Sequence, residues 1–114
     1  MSLPPTFSHL LSDRGISMMQ AFGTADVALV AEDALAAAEI LVGTGVAILG
    51  GDVFYRTAEG FKLAYANWHT DPKAGEDAGA YATRSIQETR DYIRRYPVVP
   101  EKTALFALVV AQVF

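Results

Sequence analysis

The chain of 114 residues contains no cysteine. That absence removes a disulfide framework, a thiolate metal site and a cysteine nucleophile together. Long apolar runs are missing too: none reaches the roughly 20 residues a helix needs to cross a bilayer, and no basic n-region opens the chain. A soluble, cytoplasmic protein of bacterial style with no membrane partner is the expectation. Basic charge is scarce, with nine Lys and Arg against thirteen Asp and Glu and a net charge of −4. A nucleic-acid surface needs a basic groove or stripe, so nucleic acid is not an expected ligand. The deficit is uneven. Residues 1–80 hold ten acids and four bases, whereas residues 81–114 hold three acids and five bases. An acidic front half suits a basic partner, because charge complementarity raises the rate of encounter more than it adds affinity. No internal repeat or low-complexity tract is present.

What the chain does have is apolar content, 52% of residues against 19% charged. A chain of this length buries roughly two-thirds of its unfolded surface and can build a core unaided. Residues 1–114 are therefore read as a single domain, with residues 1–30 as a helical or extended lead-in. Phe7 to Leu11 form a short helix, capped by Thr6 and stopped by Gly15. A second helix covers Ala31 to Val42, with Glu32 and Asp33 at its positive end and Ala34, Leu35, Ala38, Leu41 and Val42 as its buried stripe. The centre of the sequence is Val46 to Trp68. There, two strand-like runs flank Thr57-Ala58-Glu59-Gly60, a turn whose glycine can take positive φ. Gly50-Gly51 marks a defect in the first arm, and Phe61, Leu63 and Tyr65 alternate with Lys62, Ala64 and Ala66 in the second. A polar loop, His69 to Asp77, leads to a long helix from about Asp77 to Tyr96. Ala82, Ile86, Thr89 and Ile93 are its buried stripe, and Asp91 and Arg95 an exposed pair. The final strand, Ala104 to Phe114, is apolar on both faces and should be covered on both. Leu35, Ile48, Leu49, Ile86, Phe106 and Leu108 are the expected core. The fold class is α+β: a small, mainly three-stranded sheet, made of the hairpin and the C-terminal strand, with about three helices. The order is second arm, first arm, final strand, the last parallel to the second arm through a right-handed crossover.

Few residues suggest chemistry. Gly50-Gly51 is followed by a strand, so it is a bulge or close-approach motif and not a phosphate loop. Asp52 shares a face with Val46, Ile48 and Phe54 if the alternation is unbroken, and a carboxylate there needs hydrogen bonds or an exit to the surface. His69, Asp71 and Glu76 are the one cluster of acid–base or ligand types. Without a second histidine at helical spacing they imply no metal, and no cofactor is expected. Ser85 lies mid-helix without a nucleophile elbow.

Ile48-Leu49-Gly50-Gly51-Asp52-Val53-Phe54-Tyr55, then Asn67-Trp68, then a helix with Tyr81, Arg84-Ser85 and Tyr92-Ile93, resembles the immunity protein 40 family. The resemblance covers about residues 32–110, with Leu-Gly-Gly-Asp-Val as its most specific part. It implies a non-enzymatic bacterial protein that binds and inhibits a cognate toxin of a polymorphic toxin system. The partner-binding residues are expected to be Asp52, Tyr65, Trp68, His69, Asp71 and Glu76, aromatic anchors among acidic residues, with Gly50 and Gly51 structural. Two readings stand against it. One is a small hydrolase or transferase using Asp52, His69 and Asp71 or Glu76, which needs those groups to converge in one pocket. The other is a structural dimerisation domain, suggested by the apolar final strand, so a homodimer stays open.

Overall fold

Strand formers are densest from Val46 to Thr57, and this segment becomes the strand with the longest pairing on both sides. The computed structural model, which describes residues 3–113, places four helices around a five-stranded sheet. In chain order the elements are α1 (Pro5–Arg14), β1 (Ile16–Ser17), α2 (Met19–Phe22), β2 (Val27–Val30) and α3 (Ala31–Ile40). There follow β3 (Val46–Thr57), β4 (Gly60–His69), α4 (Ala78–Arg95) and β5 (Thr103–Gln112). The sheet order is β1-β2-β5-β3-β4 and every neighbouring pair is antiparallel.

The hairpin and final strand thus stand in the expected order, and β5 runs parallel to β4 because both oppose β3. The sheet is nevertheless wider than the three strands expected. β1 and β2 come from the lead-in, where Gly23, in left-handed conformation at φ 69°, ends the single turn of α2 and breaks the pattern into short pieces. Thr6 is not a cap. Pro4 stands at the cap position of α1 without a side-chain bond, and Pro5 supplies the ready-made φ of a first helical residue.

Two cores lie back to back across the sheet. On one face Phe7 of α1, Ala34, Ala37, Ala38 and Leu41 from the α3 segment, and Ile86 and Ile93 of α4 pack on Val46, Ile48, Val53, Trp68 and Phe106. On the other, Met18, Ala28, Phe54, Leu105 and Ala107 are buried with Phe22 and Phe61 against them. Of the expected core, Ile48, Ile86 and Phe106 are buried, while Leu35 and Leu108 are half-buried. Leu49 and Val42 are exposed. Val42 falls beyond the last turn of α3, where the chain has already left the helical path. The final strand is covered on both faces only over Leu105–Ala107; Val109 is exposed. Phe114 lies outside the described residues. Asp91 accepts a hydrogen bond from Gln87 at 2.9 Å, and Arg95 donates to the Asp91 carbonyl instead of its carboxylate. Among the described residues no helix is long and apolar enough to cross a membrane.

Irregular pairing decides what β3 shows to each side. Against β5, the register slips between Ile48 and Gly50, leaving Leu49 unmatched. One extra residue reverses the alternation. Before the slip Ile48 faces the helices; after it Val53 does, and Asp52 turns to the opposite face with Phe54. The shared face of Asp52 with Val46 and Ile48 holds only for an unbroken alternation; the bulge that Gly50-Gly51 marks breaks it, and Asp52 faces the other way. Against β4, a second slip between Val53 and Phe54 inserts Ala64 and Tyr65. The defect is therefore in both arms.

Candidate partner-binding face

Helix α4 braces the back of the hairpin. Trp68 is 9% exposed and donates from Nε1 to Thr89 Oγ1 at 3.0 Å, with its ring stacked on Tyr92 at 4.7 Å. It is a core residue. The glycines make room for it: a Cβ on Gly51 would run into the Trp68 ring and the Ala107 carbonyl, and one on Gly50 into the Trp68 carbonyl. Ser85 compensates the slip in β3, accepting the Ile48 N–H at 3.0 Å and donating to the Ala82 carbonyl at 2.8 Å. Without it the Ile48 donor would be buried unpaired.

The loop after β4 is clasped to the same helix. Arg84 binds Glu76 through two bonds of 2.8 Å, Glu88 at 2.8 Å and the Asp71 carbonyl at 2.6 Å. Tyr81 donates to the Thr70 carbonyl at 2.6 Å, and Thr70 to Glu88 at 3.0 Å. The Arg84 guanidinium, followed by the Lys73 N–H, holds the Glu76 carboxyl down at about 2. Glu76 is thus spoken for by its own chain. Asp77 caps α4 by accepting from Ala80 N–H at 2.8 Å.

The front of the sheet differs. Pairing aligns His69, Gly50 and Val109 in one row and Asn67, Asp52 and Ala107 in the next. Two shallow depressions meet there. One is lined by Leu49, Gly50, Gly51, Asp52, Asn67, Trp68, His69 and Val109. The other is lined by residues that include Thr24, Asp26, Asp52, Leu63 and Tyr65. Asp52 is common to both. Its carboxylate has no hydrogen-bond or ionic partner among the described residues, and desolvation, followed by repulsion from Asp26, raises its pKa. Leu49, Leu63, Tyr65 and Val109 surround it as exposed apolar side chains, Tyr65 at 90%. Tyr65 has φ 54°, a left-handed conformation that costs a side chain of this size on the order of 1 kcal/mol. His69 and Asp71 are a loose exposed pair, 3.7 Å apart.

The six residues expected at a partner face therefore divide. Asp52, Tyr65, His69 and Asp71 are accessible; Trp68 and Glu76 serve the packing behind them. Asp26, Leu49, Leu63 and Val109 join the face and were not picked out from sequence. Leu49 and Val109 sit in apolar runs that read as core; Gly50-Gly51 signals the slip, but not that Leu49 is the residue it leaves unmatched. A hydrolytic centre would need Asp52, His69 and a third carboxylate around one concavity. Glu76 is withdrawn to Arg84, while Asp52 and His69 share an open depression without a hydrogen bond between them. Among the described residues no three histidine or acidic side chains gather as metal ligands.

The family model described as immunity protein 40 matches residues 18–110. No curated protein and no solved structure matches the chain.

Proposed function

Since the chain belongs to the immunity protein 40 family, we propose that it binds and neutralises a cognate bacterial toxin without catalysing a reaction itself. The toxin docks on the open side of the sheet. Asp52 is central, Tyr65 and Leu63 lie on one flank, and Leu49, His69, Asp71 and Val109 lie on the other. The observation that carries this reading is the Asp52 carboxylate, partly desolvated and unpaired among exposed apolar side chains. A buried or half-buried charge without a partner is costly, so a cation supplied by a toxin would restore what the fold withholds. Tyr65 supplies the aromatic area that dominates many interfaces. Asp71 and Asp26 extend the negative potential that steers a basic surface.

The test is binding kinetics against the toxin module encoded beside this gene. Tyr65→Ala should speed dissociation by about tenfold or more, the effect of a central anchor. Asp71→Lys should slow association with little change in dissociation. Unchanged rates for both variants, with melting temperatures intact, would remove the toxin from this face. The basic side of α4 is the less suited alternative, because Arg84 is committed to Glu76 and Glu88 and Arg90 to Glu39 at 3.1 Å.

A further inference from the structure

The ends of the sheet are guarded unequally. β1 ends it with two residues, too short to template another strand. β4 ends it on the other side with Lys62 and with the Ala64–Tyr65 insertion, both of which disturb regular pairing. β5 is different. It is an inner strand between β3 and β2 over Leu105–Ala107, but the ladder to β2 stops at Ala107. Leu108 to Ala111 continue to pair with β3 and have no strand beside them on the other edge among the described residues. This stretch, Leu-Val-Val-Ala, has no charge, no proline and no insertion of its own, and Val109 is 44% exposed. Nothing in it blunts an edge.

We propose that this edge pairs with the same edge of a second copy, joining two sheets across a two-fold axis. An antiparallel strand pair can be its own mate, and a two-fold interface needs a patch complementary to itself. With the axis at Val110, Val109 stands opposite the partner's Ala111 on the open side, and each exposed backbone group meets its counterpart. A second copy is the occupant because the stretch carries no charge of either sign. Self-approach meets no like-charge penalty within the stretch, and a basic toxin finds no acidic group along its backbone edge, although the Val109 side chain still borders the Asp52 face. The paired stretch is short, so association is concentration-dependent and the Asp52 faces of both copies stay open.

Sedimentation equilibrium across a dilution series tests this without any toxin. Wild type should show twice the chain mass at the concentrated end. Val109→Lys places an ammonium at the seam on an already exposed position, and it should sediment at the single-chain mass with an unchanged melting temperature. Leu63→Lys, the same change on the β4 edge, should remain double. Hydrogen exchange should show the amides of residues 109–111 exchanging faster in Val109→Lys than in wild type. A wild type at single mass throughout overturns the proposal. So does a Val109→Lys protein that stays double, or dissociation by Leu63→Lys in its place.

Discussion

Two adjacent residues show how close structure and function lie here. Gly51 is occupied from both sides, by the Trp68 ring and the Ala107 carbonyl. Gly51→Val should destabilise the protein by about 3 kcal/mol, the upper end for overpacking, or aggregate it. A variant that melts with wild type would show that the ring swings away. Asp52, one residue on, is expected to behave in the opposite sense. Its pKa is raised, so the folded state disfavours the charged form and bears a cost at neutral pH. The cost vanishes as pH falls below the ordinary carboxyl value, where both states are protonated. Asp52→Asn should therefore melt at or above the wild-type temperature at pH 7, with the difference shrinking under acid, while association with a toxin slows. A lower melting temperature at neutral pH would mark the carboxylate as structural.

Among the elements, α4 carries the most duties: Trp68 on Thr89 and Tyr92, Ile48 on Ser85, and the loop on Arg84. The clasp has a pH signature. Glu76 is held at about 2 against an ordinary 4.5, so its contribution is complete above the ordinary value and is lost as pH falls toward 2. Amides of residues 71–76 should exchange faster across that interval, and Glu76→Gln should show the fast rate already at neutral pH. An exchange profile indifferent to both changes would mean that Arg84 does not hold the loop. Much of α4 was legible beforehand. Its stripe of Ala82, Ile86, Thr89 and Ile93 is buried as the spacing requires, and the hairpin turn falls at Thr57–Gly60. The face of Asp52 was legible only conditionally: Gly50-Gly51 signals a bulge, but alternation alone does not say which residue of β3 is the extra one. β1 and β2 were not legible, since their few residues pair only through tertiary contact. The packing roles of Trp68 and Glu76 were not legible for a related reason: their partners, Thr89 and Arg84, lie elsewhere in the chain on α4.

For the molecule as a whole, the sides of the sheet have separate tasks. One side is packed by α1, α3 and α4; the other, covered by Met18 and Phe22 around Phe54, Leu105 and Ala107, carries, beside that cover, charge that its own chain does not neutralise. The division predicts a strong ionic-strength dependence for toxin association, since exposed charges are screened beyond about 8 Å at physiological salt. Raising salt should slow the on-rate of wild type more than that of Asp71→Lys. Equal salt slopes would show that encounter is not steered by this side. Glu76→Lys is not an equivalent variant, because it sets a cation against Arg84 and loosens the loop.

The unmatched residue at Leu49 also governs which changes of length the protein tolerates. β3 is written in two frames that join there. Deleting Leu49 would merge them, sending Asp52 into the packed side and Val53 out to water, with every later residue of the strand reversed. β4 absorbs its irregularity differently, since Ala64 and Tyr65 enter as a pair and leave the frame of Asn67 and His69 intact. Insertions and deletions should therefore be survivable in twos along β4, and a single one between Val46 and Val53 should invert the face proposed for toxin binding.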